Sequence, residues 1–172
     1  VTLPEGLVVN PSAAGGQEAC SLTQIGLTSD VGESPVRFTD DPDSCPEAAK
    51  IGTIEVKTPL LAEMNEDETE ALRDPEGNVI ARPLKGDVYL AEPFQNPFGS
   101  LLAIYFAIED PDSGTVAKFA TKVSADPVTG RLTNTLTESP QLPLEEVSLS
   151  IFEGPRGALR TPPACAAYGI AT

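Results

Sequence analysis

An all-β, mainly antiparallel β-sandwich is the fold this 172-residue sequence predicts, and three observations carry the prediction. Beyond Gly52, short stretches alternate apolar with polar residues at the period of a half-buried strand. Two of the links between them, Asp110-Pro111-Asp112-Ser113-Gly114 and Asp126-Pro127-Val128-Thr129-Gly130, carry hairpin chemistry. Before Gly52, prolines and glycines interrupt any long element. Residues 1–172 therefore read as one domain, with 1–50 an irregular, proline-rich N-terminal wrap and 51–172 a strand-rich core.

Within the wrap, Pro4, Pro11, Gly15, Gly16, Gly32, Pro35, Pro42 and Pro46 act as breakers. Two short helical turns are expected, at 20–27 and 45–53. Pro46 suits a first helical position, and Gly26 and Gly52 suit the left-handed site that closes a helix. In the core, strands are predicted at 53–60, 86–91, 101–109, 115–124, 131–138 and 147–152. The stretch 101–109 is apolar almost throughout, as expected of a central strand covered on both faces. In both hairpin links the aspartate accepts from turn amides, proline presets φ, and glycine takes the positive-φ exit. Residues 64–73 are the helix-leaning exception, with Asn65 as a cap and Arg73 in the last turn. Their acid content favours an acidic loop holding at most a turn or two of helix.

Composition excludes more than it assigns. The chain has no histidine and no tryptophan, which removes the usual neutral-pH base, the commonest metal ligand and the strongest aromatic platform. Its 26 acids against 11 bases give a net charge of -15, which repels nucleic acid and anionic membranes. No run of about 18 apolar residues is present, so direct membrane insertion is not expected. Glycine-rich phosphate loops, metal-type Cys-x-x-Cys pairs and Gly-x-Ser-x-Gly elbows are missing from the sequence. An enzyme is therefore not expected, nor a cofactor. The start at Val1, with no initiator methionine, suggests a piece excised from a longer polypeptide, whose neighbouring domains would be partners.

Three cysteines permit at most one internal bridge. Cys20 and Cys45 are the expected pair, because both lie where few apolar contacts hold the backbone; three reduced thiols in a cytosolic protein are the competing state. The bridge would imply export. Cys165 would then be a buried small hydrophobe or the partner of a cysteine elsewhere. Asp40, Asp41 and Asp43 offer oxygen ligands to calcium, but without EF-hand spacing a solvated turn is the simpler reading. Most aromatics fall where strands need core. Phe94 and Phe98, which flank Pro97 in Phe94-Gln95-Asn96-Pro97-Phe98-Gly99, are the exception: either an exposed contact patch or a corner plug.

Several strings resemble a known family. Cys45-Pro46 with Ala49-Lys50-Ile51-Gly52-Thr53, Gly86-Asp87-Val88-Tyr89-Leu90-Ala91, Asn96-Pro97-Phe98-Gly99-Ser100-Leu101-Leu102, Asp126-Pro127-Val128-Thr129-Gly130-Arg131, and Thr161-Pro162-Pro163-Ala164-Cys165 are similar to a repeated module of large exported actinobacterial surface proteins of uncharacterised function. The resemblance covers nearly the whole chain and implies an extracellular β module in tandem array, with no catalytic residues. The acidic stretch 63–81 looks longer than such a module needs. The expected function is a non-enzymatic structural or spacer module, secreted or at the cell surface. The alternative is an extracellular binding or adhesion module for a glycan or protein, stiffened by calcium.

Overall fold

The computed structural model describes residues 2–3, 7–10, 17–67, 69–136, 143–154 and 157–160. Among the described residues the named elements are eight strands, one short helix and one 3-10 turn. The strands are β1 (Val8–Val9), β2 (Lys50–Ala62), β3 (Ala81–Leu90), β4 (Leu102–Asp110), β5 (Thr115–Ala125), β6 (Leu132–Thr135), β7 (Glu146–Ile151) and β8 (Leu159–Arg160). Six of them form one curled antiparallel sheet in the order β6-β5-β4-β3-β2-β7, while β1 and β8 pair as a small ribbon. Consecutive hairpins build β2 to β6, and the chain then crosses to place β7 beside β2. The all-β, mainly antiparallel expectation holds. The layers on the two faces of the sheet are the wrap and the ribbon.

Both faces of β4 are buried, which explains why its sequence loses alternation. On one face Ala103, Tyr105 and Ala107 join Tyr89, Ala91 and Ala120 under the wrap residues Cys20, Ile25 and Ala49. On the other, Phe106 and Ile108 join Ile54, Val56, Leu84 and Val88 inside the curl, with Ala158 of the ribbon side packed against them. Phe106 stacks on Phe119 at 4.5 Å between ring centroids. Burying such side chains stabilises by about 1.5–3 kcal/mol each relative to leaving them in water, so these two clusters hold the sheet and the wrap together.

The expected turns form. Asp126 Oδ1 accepts from the amides of Val128 (3.0 Å) and Thr129 (2.7 Å), and Gly130 takes φ 69 at the exit. Asp110 Oδ2 likewise accepts from Ser113 N–H (3.1 Å), with Gly114 at φ 68. In the wrap, helix α1 (Leu22–Ile25) opens with a capping box between Ser21 and Gln24 and closes on Gly26 at φ 79.

Three local expectations are corrected. Pro46 is the N-cap of the 3-10 turn Glu47–Ala49 and not its first residue, because the chain stays extended through it (ψ 143). Gly52 closes no helix. It lies in β2, where a Cβ would sit 2.3 Å from Ser150 O, so its smallness lets β7 approach. Residues 64–73 contain no helix among those described: Asn65 Oδ1 accepts from Thr69 N–H (2.8 Å) and Glu70 N–H (3.2 Å), closing a tight turn. Bridges Met64↔Ala71 and Arg73↔Val79 instead close two small hairpins within the β2–β3 connection. Crowded carboxylates disfavour a helix, whereas an asparagine turn needs none of the helix's cooperative length. β6 ends at Thr135, and residues 137–138 of the strand predicted there lie outside the described residues.

Candidate functional site

Two surfaces carry polar or exposed groups in an arrangement the core does not need. The first is the corner between β3 and β4. Its centre is Asn96, fully buried, whose Nδ2 donates to the carbonyls of Glu92 (2.9 Å) and Ser100 (2.6 Å). Its Oδ1 accepts from the amides of Phe98 (3.2 Å) and Ser100 (3.1 Å). The wrap docks on this corner through Gly32 N–H, which donates to Pro97 O at 2.8 Å. With its amide satisfied from every side, Asn96 fixes the corner as a rigid unit.

That rigidity separates the two aromatics. Phe98 packs against the cluster under the wrap and is the corner plug. Phe94 is 63% exposed, and its backbone sits at φ 62, in the left-handed region that favours glycine. Strain of this kind costs about 1–3 kcal/mol and persists only where the surroundings over-determine it. The sequence brought these two residues to notice together; the fold sends one inward and one outward.

The second surface is a polar cleft of about 520 Å³ on the wrap side of the sheet, lined among others by Asp43, Glu55, Lys85, Asp87, Glu109 and Ser148. The strands β3, β2 and β7 bring them together, since register aligns Lys85 with Glu55 and Glu55 with Ser148. Three of its carboxylates are engaged within the fold, and one of them, Glu109, ties the wrap to the sheet. Asp43 Oδ1 accepts from Cys45 N–H (2.9 Å), and Glu109 Oε1 accepts from Asp43 N–H (2.7 Å). Asp87 pairs with Lys50 Nζ at 2.8 Å and accepts from the Tyr89 hydroxyl at 3.2 Å. Burial first, and then the charges of Asp43 and Asp87, push the Tyr89 hydroxyl above its ordinary range, so it stays a donor at neutral pH.

The cleft can therefore receive hydroxyl-bearing or cationic groups. Ser148 and Ser150 stand in it with no imidazole anywhere in the chain to activate them. Strand alternation made these positions legible as a polar face, but nothing in the sequence said that β7 would lie beside β2. Behind the sheet, the curl leaves an apolar cavity of about 170 Å³ lined by residues such as Leu102, Ile104, Val123, Leu132, Leu149 and Leu159.

Cys20 and Cys45 are joined as a disulfide, with Cα atoms 5.0 Å apart and a sequence separation of 25. Asp40, Asp41 and Asp43 do not converge: Asp41 gives its carbonyl to Lys118 Nζ, and Asp43 is occupied as above. Among the described residues no group of three acidic, cysteine or histidine side chains has metal-holding geometry. Cys165 lies outside the described residues. No family model, curated protein or solved structure matches this chain.

Proposed function

We propose that this chain is a non-enzymatic structural or spacer module of a secreted or cell-surface protein, set beside neighbouring domains of the same polypeptide. The observation that supports this reading is how the wrap is held. With little regular structure among its described residues, it is tied within itself by the Cys20–Cys45 bridge, and Cys20, fully buried in the cluster beneath it, donates its N–H to Leu90 O at 2.8 Å and so seats the bridged loop on the sheet. Bridges of this kind persist in oxidising compartments, and they serve segments with too few apolar contacts to hold themselves. Closing a loop of this length stabilises by about 3–4 kcal/mol in the chain-entropy model.

Thiol titration and thermal unfolding test this reading. Without reductant, no more than one of the three cysteines should titrate after unfolding, and reduction should lower the melting temperature by about 10 °C. Three titratable thiols in the unreduced protein would remove the argument for export.

A second reading is favoured by a separate observation. Phe94, exposed on a strained and rigid corner, is suited to contact with an extracellular glycan or protein. In that reading the module binds as well as spaces. Calcium would be an added stiffener at 40–43, and the engagement of Asp43 with Cys45 argues for a calcium-independent turn.

A further inference from the structure

We propose that β7 is a receiving edge for an added strand, and that its occupant is an extended segment of a partner protein in which cationic and apolar residues alternate. The two ends of the sheet are treated differently. At the β6 end, Thr2 bridges Thr133 and Leu3 N–H donates to Leu132 O at 2.9 Å, so the chain itself covers that edge. At the other end, residues 146–150 of β7 are all exposed, Val147 at 51% and Leu149 at 48%. Among the described residues β7 pairs with β2 alone.

Its backbone is oriented to receive. Phe152 N–H donates to Ile51 O, in the same ladder that aligns Ser150 with Thr53 and Ser148 with Glu55. Antiparallel alternation then turns the amides and carbonyls of Val147, Leu149 and Ile151 away from β2. Monomeric β proteins blunt such an edge with lysine, proline or a bulge. Glu146-Val147-Ser148-Leu149-Ser150-Ile151 contains neither lysine nor proline.

The side chains specify the occupant. On the cleft face, the rows across the strands run Lys85, Glu55, Ser148 and, one step along, Lys57, Glu146. Lys57 Nζ meets Glu146 Oε2 at 2.8 Å. The next position in the second row lies directly opposite Glu146, and a cation there continues the alternation of sign. The next position in the first row reaches over Ser148 toward Glu55. On the opposite face Val147 and Leu149 continue the apolar surface of Val56 and Ile54, so the incoming residues between the cations are apolar. Charge decides against a second copy of this chain, which would bring a net -15 against -15.

Three synthetic peptides of about six residues, the length of an ordinary strand, test the assignment on the intact protein by NMR titration. They are an alternating Lys-Val peptide, its Glu-Val counterpart, and a Lys-Val peptide N-methylated at alternate amides. The Lys-Val peptide should bind saturably and shift the amides of Val147, Leu149 and Ile151. The Glu-Val and N-methylated peptides should bind about tenfold more weakly or worse, and affinity should fall with added salt. The proposal is overturned by no saturable binding, by binding indifferent to charge or N-methylation, or by shifts confined to other strands. Sedimentation showing a dimer that the peptide cannot dissociate would assign the edge to a second copy and overturn it equally.

Discussion

At Phe94 the backbone and the side chain make opposite demands. A left-handed conformation costs an L-residue about 1–2 kcal/mol, while glycine adopts it without penalty. The exposed ring returns little burial in exchange. Phe94→Gly is therefore expected to raise stability by about 1 kcal/mol in urea unfolding, whereas Phe98→Ala, which empties the corner plug, should lower it by about 2 kcal/mol. A loss of stability in Phe94→Gly would show that the ring serves the fold and would withdraw it as a contact residue. The sequence pointed to both aromatics but could not orient them. Orientation depends on Asn96, and nothing in a lone asparagine before proline announces a fully buried hub that accepts and donates on both ends of its amide.

At the scale of elements, what was legible was what local chemistry decides. Of the six main strands, β4 follows from its continuous apolar run and the others from period-two patterning, and the β4–β5 and β5–β6 hairpins follow from aspartate, proline and glycine at fixed offsets. Gly52 was misread because a glycine near a strand start serves equally well as a helix stop; only the approach of Ser150, about a hundred residues later in the chain, distinguishes them. The ribbon of β1 and β8 was missed because two residues per strand carry no period. The turn aspartates make a checkable statement about pH. Hydrogen bonds from Thr129, backbone first and then side chain, hold the Asp126 carboxyl below its ordinary range. A carboxyl depressed in the folded state contributes stability above its unfolded pKa and loses it as pH falls through the folded value. Asp126→Asn, compared with the parent in high salt, should be less stable at neutral pH, and the gap should close as pH falls below about 4. A gap that stays constant with pH would show that the charge contributes nothing to the turn.

The whole molecule is dominated by its charge. Exposed pairs such as Lys57 with Glu146 contribute little, because water and salt screen them, and Lys50, Lys57 and Arg82 are among the cations that form bridges. Against these stand 26 carboxylates in a chain of 172 residues, so repulsion among acids outweighs attraction between pairs. Salt weakens both, but it acts first on interactions longer than the screening length, about 10 Å at 0.1 M and 3 Å at 1 M. Those long interactions are the repulsive ones, while most of the bridging contacts are shorter than 3 Å. Raising sodium chloride from about 0.02 to 0.5 M should therefore raise the melting temperature, and the largest part of the rise should come at the low end, where the screening length falls fastest. Sodium chloride also separates charge screening from calcium binding: if screening is the whole effect, calcium chloride matched in ionic strength should give a similar rise. A melting temperature that falls with salt would mean that the few ion pairs outweigh the net charge, and would undercut the exclusion of a second copy from the β7 edge.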